Sequence, residues 1–314
     1  MMQSAVAAPS VALSGIECQT CGAVLELAQG ERTATCPYCD SPSVVERPPT
    51  PDRPRPNFAL GFVVAREAAV SLLKAWLGSR GIFTHSGLKR AAIEHTRGVY
   101  LPAYLYGATA RTGYHAQIGE NYTVTETYTT TDSEGRSVTN TRTRTETEWR
   151  PLSGAHACYV RDVVVTASRA IANQELAAIE PFDLRALKRY SGAMIAGWLA
   201  EEPSLSPDQC LGLARDEAHG EIAQRLNHFM PGDTHRDLRI DMRLYQENLE
   251  LVLLPIWVFA LRYDPQKPPL RILINGQSGK VNGPAPLSTL KIVLAILAAA
   301  SIAAFIYWLR YWYL

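Results

Sequence analysis

The chain has 314 residues and a mass of 34.6 kDa, room for one or two globular domains. Hydrophobic residues at 47% and charged residues at 19% exclude a disordered chain, and the composition also excludes a coiled coil, a collagen and a polytopic membrane protein. With 31 Lys+Arg against 30 Asp+Glu, no strong net field steers it towards nucleic acid.

Residues 1–16 are rich in Ala, Ser and Val and hold no basic residue. They lack the positive start and solid apolar run of a secretory signal and read as a disordered leader. Residues 17–46 carry Cys18-Gln-Thr-Cys21-Gly22 and Cys36-Pro-Tyr-Cys39-Asp40, two C-x2-C pairs separated by fourteen residues. Two residues between cysteines let a tight turn aim both sulfurs at one ion while backbone amides soften the thiolate charge. Two such knuckles complete a closed tetrahedral set, so Cys18, Cys21, Cys36 and Cys39 are the expected ligands of a structural Zn2+. Two short strands with a turn at Gly30 fit between the pairs. A redox pair would sit beside a βαβ pattern, which is missing. A closed site offers no open coordination position; it replaces a hydrophobic core that so short a segment cannot build, and it implies a reducing compartment. Residues 1–56 hold four basic against six acidic residues, no footprint for phosphate. Protein contact is the better expectation, through the non-ligand positions Val24, Leu25, Pro37 and Tyr38. Five prolines within residues 47–56 then make a stiff spacer that separates this module from the rest of the chain.

Residues 57–283 read as an α+β region with antiparallel sheets. Ala69, Leu72, Leu73, Trp76 and Leu77 form a helical stripe over residues 65–77, stopped by Gly78. Strands are expected over 100–110 and 160–166. Helical pieces are expected over 176–179, 182–190 and 194–200, broken at Pro181 and Gly192. Ser206 as N-cap, Pro207 and Asp208 open a further helix with Leu211, Ala214, Ala218, Ile222 and Leu226 on its apolar face. Strands are also expected over 238–245, 250–263 and 270–274, with a turn at Asn275-Gly276. Tyr100-Leu-Pro-Ala-Tyr-Leu-Tyr106 echoes Leu253-Leu-Pro-Ile-Trp-Val-Phe259, which raises a duplicated helix-then-sheet unit.

Between the echoes, residues 122–149 carry Thr at alternate positions, a period-two pattern. Asp132-Ser-Glu-Gly135 supplies a turn, which places Asp132 opposite Arg136 and Glu126 opposite Arg142 in a polar hairpin projecting into solvent. At the other end of the chain, Ile292–Leu309 is eighteen residues without a charge, about 27 Å of helix against a bilayer core of about 30 Å. Lys291 and Arg310 bracket it, and Tyr307, Trp308, Tyr311, Trp312 and Tyr313 crowd the far end as an aromatic belt. A single transmembrane helix over 287–310 is expected.

Several signals carry no chemistry. Asn275-Gly-Gln-Ser-Gly-Lys280 lacks the spacing of a phosphate loop and reads as a turn before a strand. His156-Ala-Cys158 has no catalytic signature around it. Cys158 and Cys210 read as small buried hydrophobes, and Glu201-Glu202 as solvated helix positions. No catalytic constellation is found, so no enzyme is expected.

The paired knuckles, Gly197-Trp-Leu-Ala-Glu201, Leu254-Pro-Ile-Trp257, Asn275-Gly-Gln-Ser-Gly-Lys-Val281 and the terminal span occur here in an order that resembles bacterial zinc-ribbon, C-terminally membrane-anchored proteins often labelled primosomal-helicase-like. The resemblance implies zinc-ribbon partners of flotillin-like (SPFH) and phage-shock-type proteins. This chain departs from those with two spans by having one, and by its Thr-rich hairpin. The expectation is a membrane-anchored adaptor or scaffold of the bacterial inner membrane. Its soluble part would lie in the cytosol and recruit a cytosolic or membrane-associated protein. A nucleic-acid-associated zinc-ribbon factor and a membrane-bound enzyme with an unrecognised site are the alternatives.

Overall fold

Runs of β-branched and aromatic residues give this chain more strand than helix. The structure, a computed structural model, describes residues 15–26, 35–47, 54–131 and 135–313. In chain order its elements are β1 (Gly15–Cys18), β2 (Val24–Glu26), β3 (Val44–Arg47), β4 (Phe58–Ala59), α1 (Arg66–Gly78), β5 (Ala92–Thr131), β6 (Ser137–Thr166), α2 (Asn173–Ile179), β7 (Lys188–Arg189), β8 (Leu199–Glu202), α3 (Pro207–Phe229), β9 (Thr234–Arg262), β10 (Leu270–Asn275), β11 (Val281–Asn282) and α4 (Thr289–Tyr313). This is the expected α+β class. Of the leader, only Gly15 and Ile16 are described, and they belong to β1 rather than to a tail. The turn at Gly30, most of the proline spacer and the hairpin turn at 132–134 lie outside the described residues.

The chain forms two compact units. The first comprises Met1–Leu105, Val164–Cys210 and Glu250–Leu314; the second comprises Tyr106–Val163 and Leu211–Leu249. The main sheet has the order β11-β10-β9-β5-β8-β2-β1-β3, with β6 on β5 and β4 joining β7 and β9.

In the first unit, Val99–Ala103 and Leu251–Leu261 are buried on both faces, as central strands must be. Val252, Leu254, Ile256 and Val258 face a core shared with Leu176 and Ile179 of α2. The alternate residues Trp257, Phe259 and Leu261 face Ala69, Leu73 and Leu77 of α1. The two echo motifs fall on these adjacent strands and behave alike. Pro102 O accepts Ala167 N–H, just past the end of β6, at 3.0 Å, and Pro255 O accepts Gly276 N–H, just past the end of β10, at 2.8 Å. Proline in a central strand is tolerable because its missing donor costs nothing where the carbonyl alone is used.

Three expectations for this region are corrected. Residues 182–190 and 194–200 are not helices. They form 3-10 turns at Leu184–Ala186 and Gly192–Met194 with the short strands β7 and β8. Leu199 and Ala200 instead pair in parallel with Val99 and Tyr100. The strands expected over 238–245 and 250–263 are one strand, β9, whose polar break holds Gln246 at φ 51.

In the second unit, alternate residues of β5 from Ala108 to Ile118 are buried together with Ala214, Ala218, Ile222 and Leu226 of α3. The helix starts with a reciprocal cap in the first unit: Gln209 N–H donates to Ser206 Oγ (3.3 Å) and Ser206 N–H to Gln209 Oε1 (2.9 Å). The hairpin arm is exposed. Its contacts fit the expected pairing: Tyr122 OH donates to Glu146 Oε2 (2.8 Å) and Thr147 Oγ1 to Asn121 Oδ1 (2.7 Å). Glu126 departs from expectation, taking the diagonal Arg144 at 3.2 Å rather than Arg142.

α4 carries Thr289–Trp312, long and apolar enough to cross a membrane, and none of that segment is buried within the protein. At 1.5 Å per residue it spans about 36 Å.

Candidate metal centre

Each knuckle is a tight turn closed by its own backbone. In the first, Cys18 N–H donates to Ala23 O and Gly22 N–H to Cys18 O, both 2.9 Å. In the second, Cys36 N–H donates to Ser41 O and Asp40 N–H to Cys36 O, again 2.9 Å. The residue after each second cysteine turns left-handed, Gly22 at φ 74 and Asp40 at φ 58, which glycine and aspartate tolerate better than other residues. Thr20 Oγ1 and Ser41 Oγ join the turns at 2.7 Å, and His95 Nε2 meets Asp40 Oδ1 at 3.1 Å.

The two turns bring together all four cysteines that the sequence singles out. Cys18 Sγ lies 3.6 Å from Cys39 Sγ, Cys21 Sγ lies 3.6 Å from Cys36 Sγ, and all four lie within 4.8 Å of one another. A tetrahedron with metal–sulfur bonds of about 2.3 Å has edges near 3.8 Å, so the set fits a thiophilic ion. Four thiols this close cannot all ionise unaided. Cys21, accepting from Cys36, is pulled down to about 5; Cys36 is pushed far up by the same bond, and burial lifts Cys39 to about 11. A divalent cation removes that conflict, and the donor set would hold one with no position left open.

The module is not set apart from the body, contrary to the expectation of a spacer-separated ribbon. β1 pairs antiparallel with β2 and β3, and β2 pairs antiparallel with β8, with Leu25 opposite Glu201. Ile16, Cys18, Leu25, Cys36 and Tyr38 belong to the same core as Val99, Leu101, Ile171 and Leu254. The expected contact residues Val24, Leu25, Pro37 and Tyr38 are therefore all buried within the chain and offer no surface to a partner.

Beneath the second knuckle lies a polar network that sequence reasoning misses. Tyr38 OH donates to Glu201 Oε2 at 2.7 Å and Ser168 Oγ to Glu201 Oε1 at 2.5 Å. Glu201, expected as a solvated helix residue, is buried on a strand. Burial pushes its carboxyl up to about 8, against the two hydrogen bonds that favour its charge. Arg271 extends the network, donating to Ala170 O at 2.6 Å and to both oxygens of Glu175 at 2.8 and 2.7 Å. A second pin is the Asn275 side chain. Its amide donates to Ile179 O (3.0 Å) and Pro181 O (3.1 Å), and its oxygen accepts from Gln277 and Ser278 N–H. The Asn275–Lys280 segment is thus the expected turn before a strand, and its polar groups serve the fold. The sequence holds no local signal for the Glu201 contacts, because Tyr38 and Ser168 lie more than thirty positions from it along the chain.

No family model matches the chain, and no solved structure matches it. Over 240 residues it is 25% identical to the uncharacterized protein YdjG of Bacillus subtilis (strain 168), covering 76% of this chain. The match spans 65% of that protein's length.

Proposed function

We propose that the protein is a single-pass membrane adaptor. Its α+β body, completed by one structural Zn2+ on Cys18, Cys21, Cys36 and Cys39, is held at the cytosolic face of a bacterial inner membrane by α4. It acts by bringing a cytosolic or membrane-associated partner, of the flotillin-like or phage-shock type, to that surface. The carrying observation is the closed four-thiol cluster built into the core of a unit that ends in an unburied apolar helix. Such a site stabilises and does not catalyse, and thiolate ligands favour a reducing compartment. Tethering raises the effective concentration of a weakly held partner, so modest affinity suffices.

With Val24, Leu25, Pro37 and Tyr38 buried, the recruiting surface moves to the exposed Thr-rich arm of β5 and β6. The test is a tagged full-length protein purified from detergent-solubilised membranes, beside a variant whose residues 124–144 are replaced by an Asn-Gly turn, which keeps 123 opposite 145. Both should carry one zinc per chain and stay in the membrane, and the shortened variant should lose the partner. A partner retained by the shortened variant removes the arm from the proposal. Turnover of a substrate by the purified protein refutes the adaptor reading itself. Protease added to intact spheroplasts should leave residues 15–47 uncut; cleavage there reverses the orientation.

A further inference from the structure

The base of α4 does not leave the body as a bare stalk. Ser288 N–H donates to Phe83 O (2.8 Å), and His85 N–H donates to Pro286 O (2.9 Å). Lys291 Nζ donates to Ile82 O (3.1 Å) and Thr84 O (2.8 Å), and Thr84 forms a β-bridge with Leu287. These bonds fasten the loop of residues 79–84 to the first turn of the helix.

The same loop leaves its apolar side chains outside, with Ile82 78% and Phe83 41% exposed, and the chain at the start of α4 beside it does the same, with Leu287 62% and Leu290 68% exposed. Phe83 lines an open apolar groove of ≈ 430 Å³ with Leu287, Ile292, Ala295, Ile296 and Ala299. From Ile292 to Ala299 the helix climbs about 10 Å. The loop therefore flanks the first turns of the span, at a depth that water cannot occupy if those turns are in lipid. A contiguous exposed patch of this kind marks an interaction site. The chain around it is cationic. Residues 66–97 contain six basic residues, including Arg80, Lys89 and Arg90, and two acidic ones, Glu67 and Glu94, in a protein whose total charge is +1. Lys89 and Arg90 are exposed on the 3-10 turn Ser86–Arg90 that directly succeeds the loop.

We infer that the Ile82–Phe83 loop is a second membrane-contacting element, seated at the headgroup–acyl boundary of an anionic phospholipid leaflet beside the span. The inference rests on the anchor reading of α4 and is continuous with it. The apolar tip meets acyl chains, and the basic residues around it meet lipid phosphates. Two contact points fix the rotation of the first unit about the helix axis, which one helix alone leaves free.

The experiment uses the full chain with a photoreactive diazirine side chain at position 83, at 296 or at 45. Val45 is an exposed residue of β3, at the opposite sheet edge from β11. Each protein is reconstituted into vesicles of equal parts phosphatidylcholine and phosphatidylglycerol, irradiated, and read by mass spectrometry for lipid adducts. Adducts are expected at 296 and 83, well above the yield at 45. Adducts at 296 with a yield at 83 no higher than at 45 overturn the inference and leave the anchor standing. No adduct at 296 refutes the anchor and the inference with it. Where the probe at 83 disturbs packing, position 82 serves the same comparison. Lys89→Glu with Arg90→Glu should cut the adduct yield at 83 by up to roughly fivefold per charge in these vesicles. The same pair should have no effect in pure phosphatidylcholine. An unchanged yield in the mixed vesicles overturns the anionic leaflet as the partner.

Discussion

Removing the metal should loosen the first unit as a whole, because the cysteine turns and the body share one core. Ile16 and Leu25 from the ribbon, and Tyr38 from the second knuckle, are each 4% exposed or less. Burying a side chain of this size contributes about 1.5–3 kcal/mol, so the three together tie the ribbon to the body by roughly 5–9 kcal/mol as an upper estimate. That is comparable with the whole stability of an ordinary domain, about 5–15 kcal/mol. The Tyr38–Glu201 bond and the β2–β8 pairing add to it. A metal contribution on the order of 10 kcal/mol, as in zinc-finger peptides, therefore cannot be withdrawn from the turns alone. Hydrogen exchange of the full protein in detergent, with and without a strong chelator, reads this directly. Faster exchange is expected in peptides covering Val99–Ala103, Ile171–Ile179 and Leu199–Glu202 as well as in residues 15–47. Leu25→Ala should reproduce part of the effect with the metal still bound, at a cost of about 2–5 kcal/mol. An increase confined to residues 15–47 would refute the shared core and restore a detached ribbon.

The same packing governs how the protein responds to other changes. Glu201→Ala should destabilise the unit by roughly 1–3 kcal/mol for each hydroxyl left without an acceptor, Tyr38 and Ser168, whereas Glu201→Gln should be milder; denaturant midpoints decide. The folded carboxyl titrates near 8 and the unfolded one in the ordinary range near 4.5, so the unfolded state binds fewer protons between these values. Stability should therefore fall as pH rises through that window, and Glu201→Gln should flatten the slope. Gly276→Ala should lower the denaturation midpoint while leaving metal content and membrane attachment intact, because a Cβ there would lie 2.7 Å from Pro255 O and 2.9 Å from Phe62. Deleting residues 287–314 should move the protein from the membrane to the soluble fraction, and its persistence in the pellet after a carbonate wash would remove α4 as the sole anchor.

The elements legible in the sequence are those whose cause is local. α1 shows its stripe of Ala69, Leu73 and Leu77, and α3 shows Ser206 and Pro207 at its start; the cysteine spacing gives all four sulfurs, and eighteen uncharged residues give α4. The illegible parts depend on partners far along the chain. Val24-Leu-Glu26 would suit an exposed edge as well as the strand that β8 covers, and nothing within the ribbon says that β8 exists. Leu199–Glu202 is too short for its period to separate strand from helix. Glu201 reads as solvated because charged residues usually are; only Tyr38 and Ser168, each more than thirty positions away, make its burial tolerable. The hairpin strands come from their alternation and the register from the Asp132-Ser-Glu-Gly135 turn signal, whereas the choice of Arg144 over Arg142 by Glu126 is a matter of side-chain reach on the twisted ribbon.

The placement of the cysteine turns changes what a metal can do for this protein. On a detached ribbon, zinc would create a small recruiting surface and its loss would silence that surface alone. Here the ligand turns, the buried strand segments Val99–Ala103 and Leu251–Leu261 and α4 all belong to the first unit, while the exposed arm belongs to the second, whose buried residues lie on β5, β6 and α3 and at Met230 and include none of the ligands. On the proposed reading, metal loading should then be a condition for folding the unit that includes α4, with the arm outside it. A variant lacking Cys36 should consequently fail first in accumulation and membrane assembly. If it accumulates normally and loses only the partner, the recruiting role returns to the ribbon.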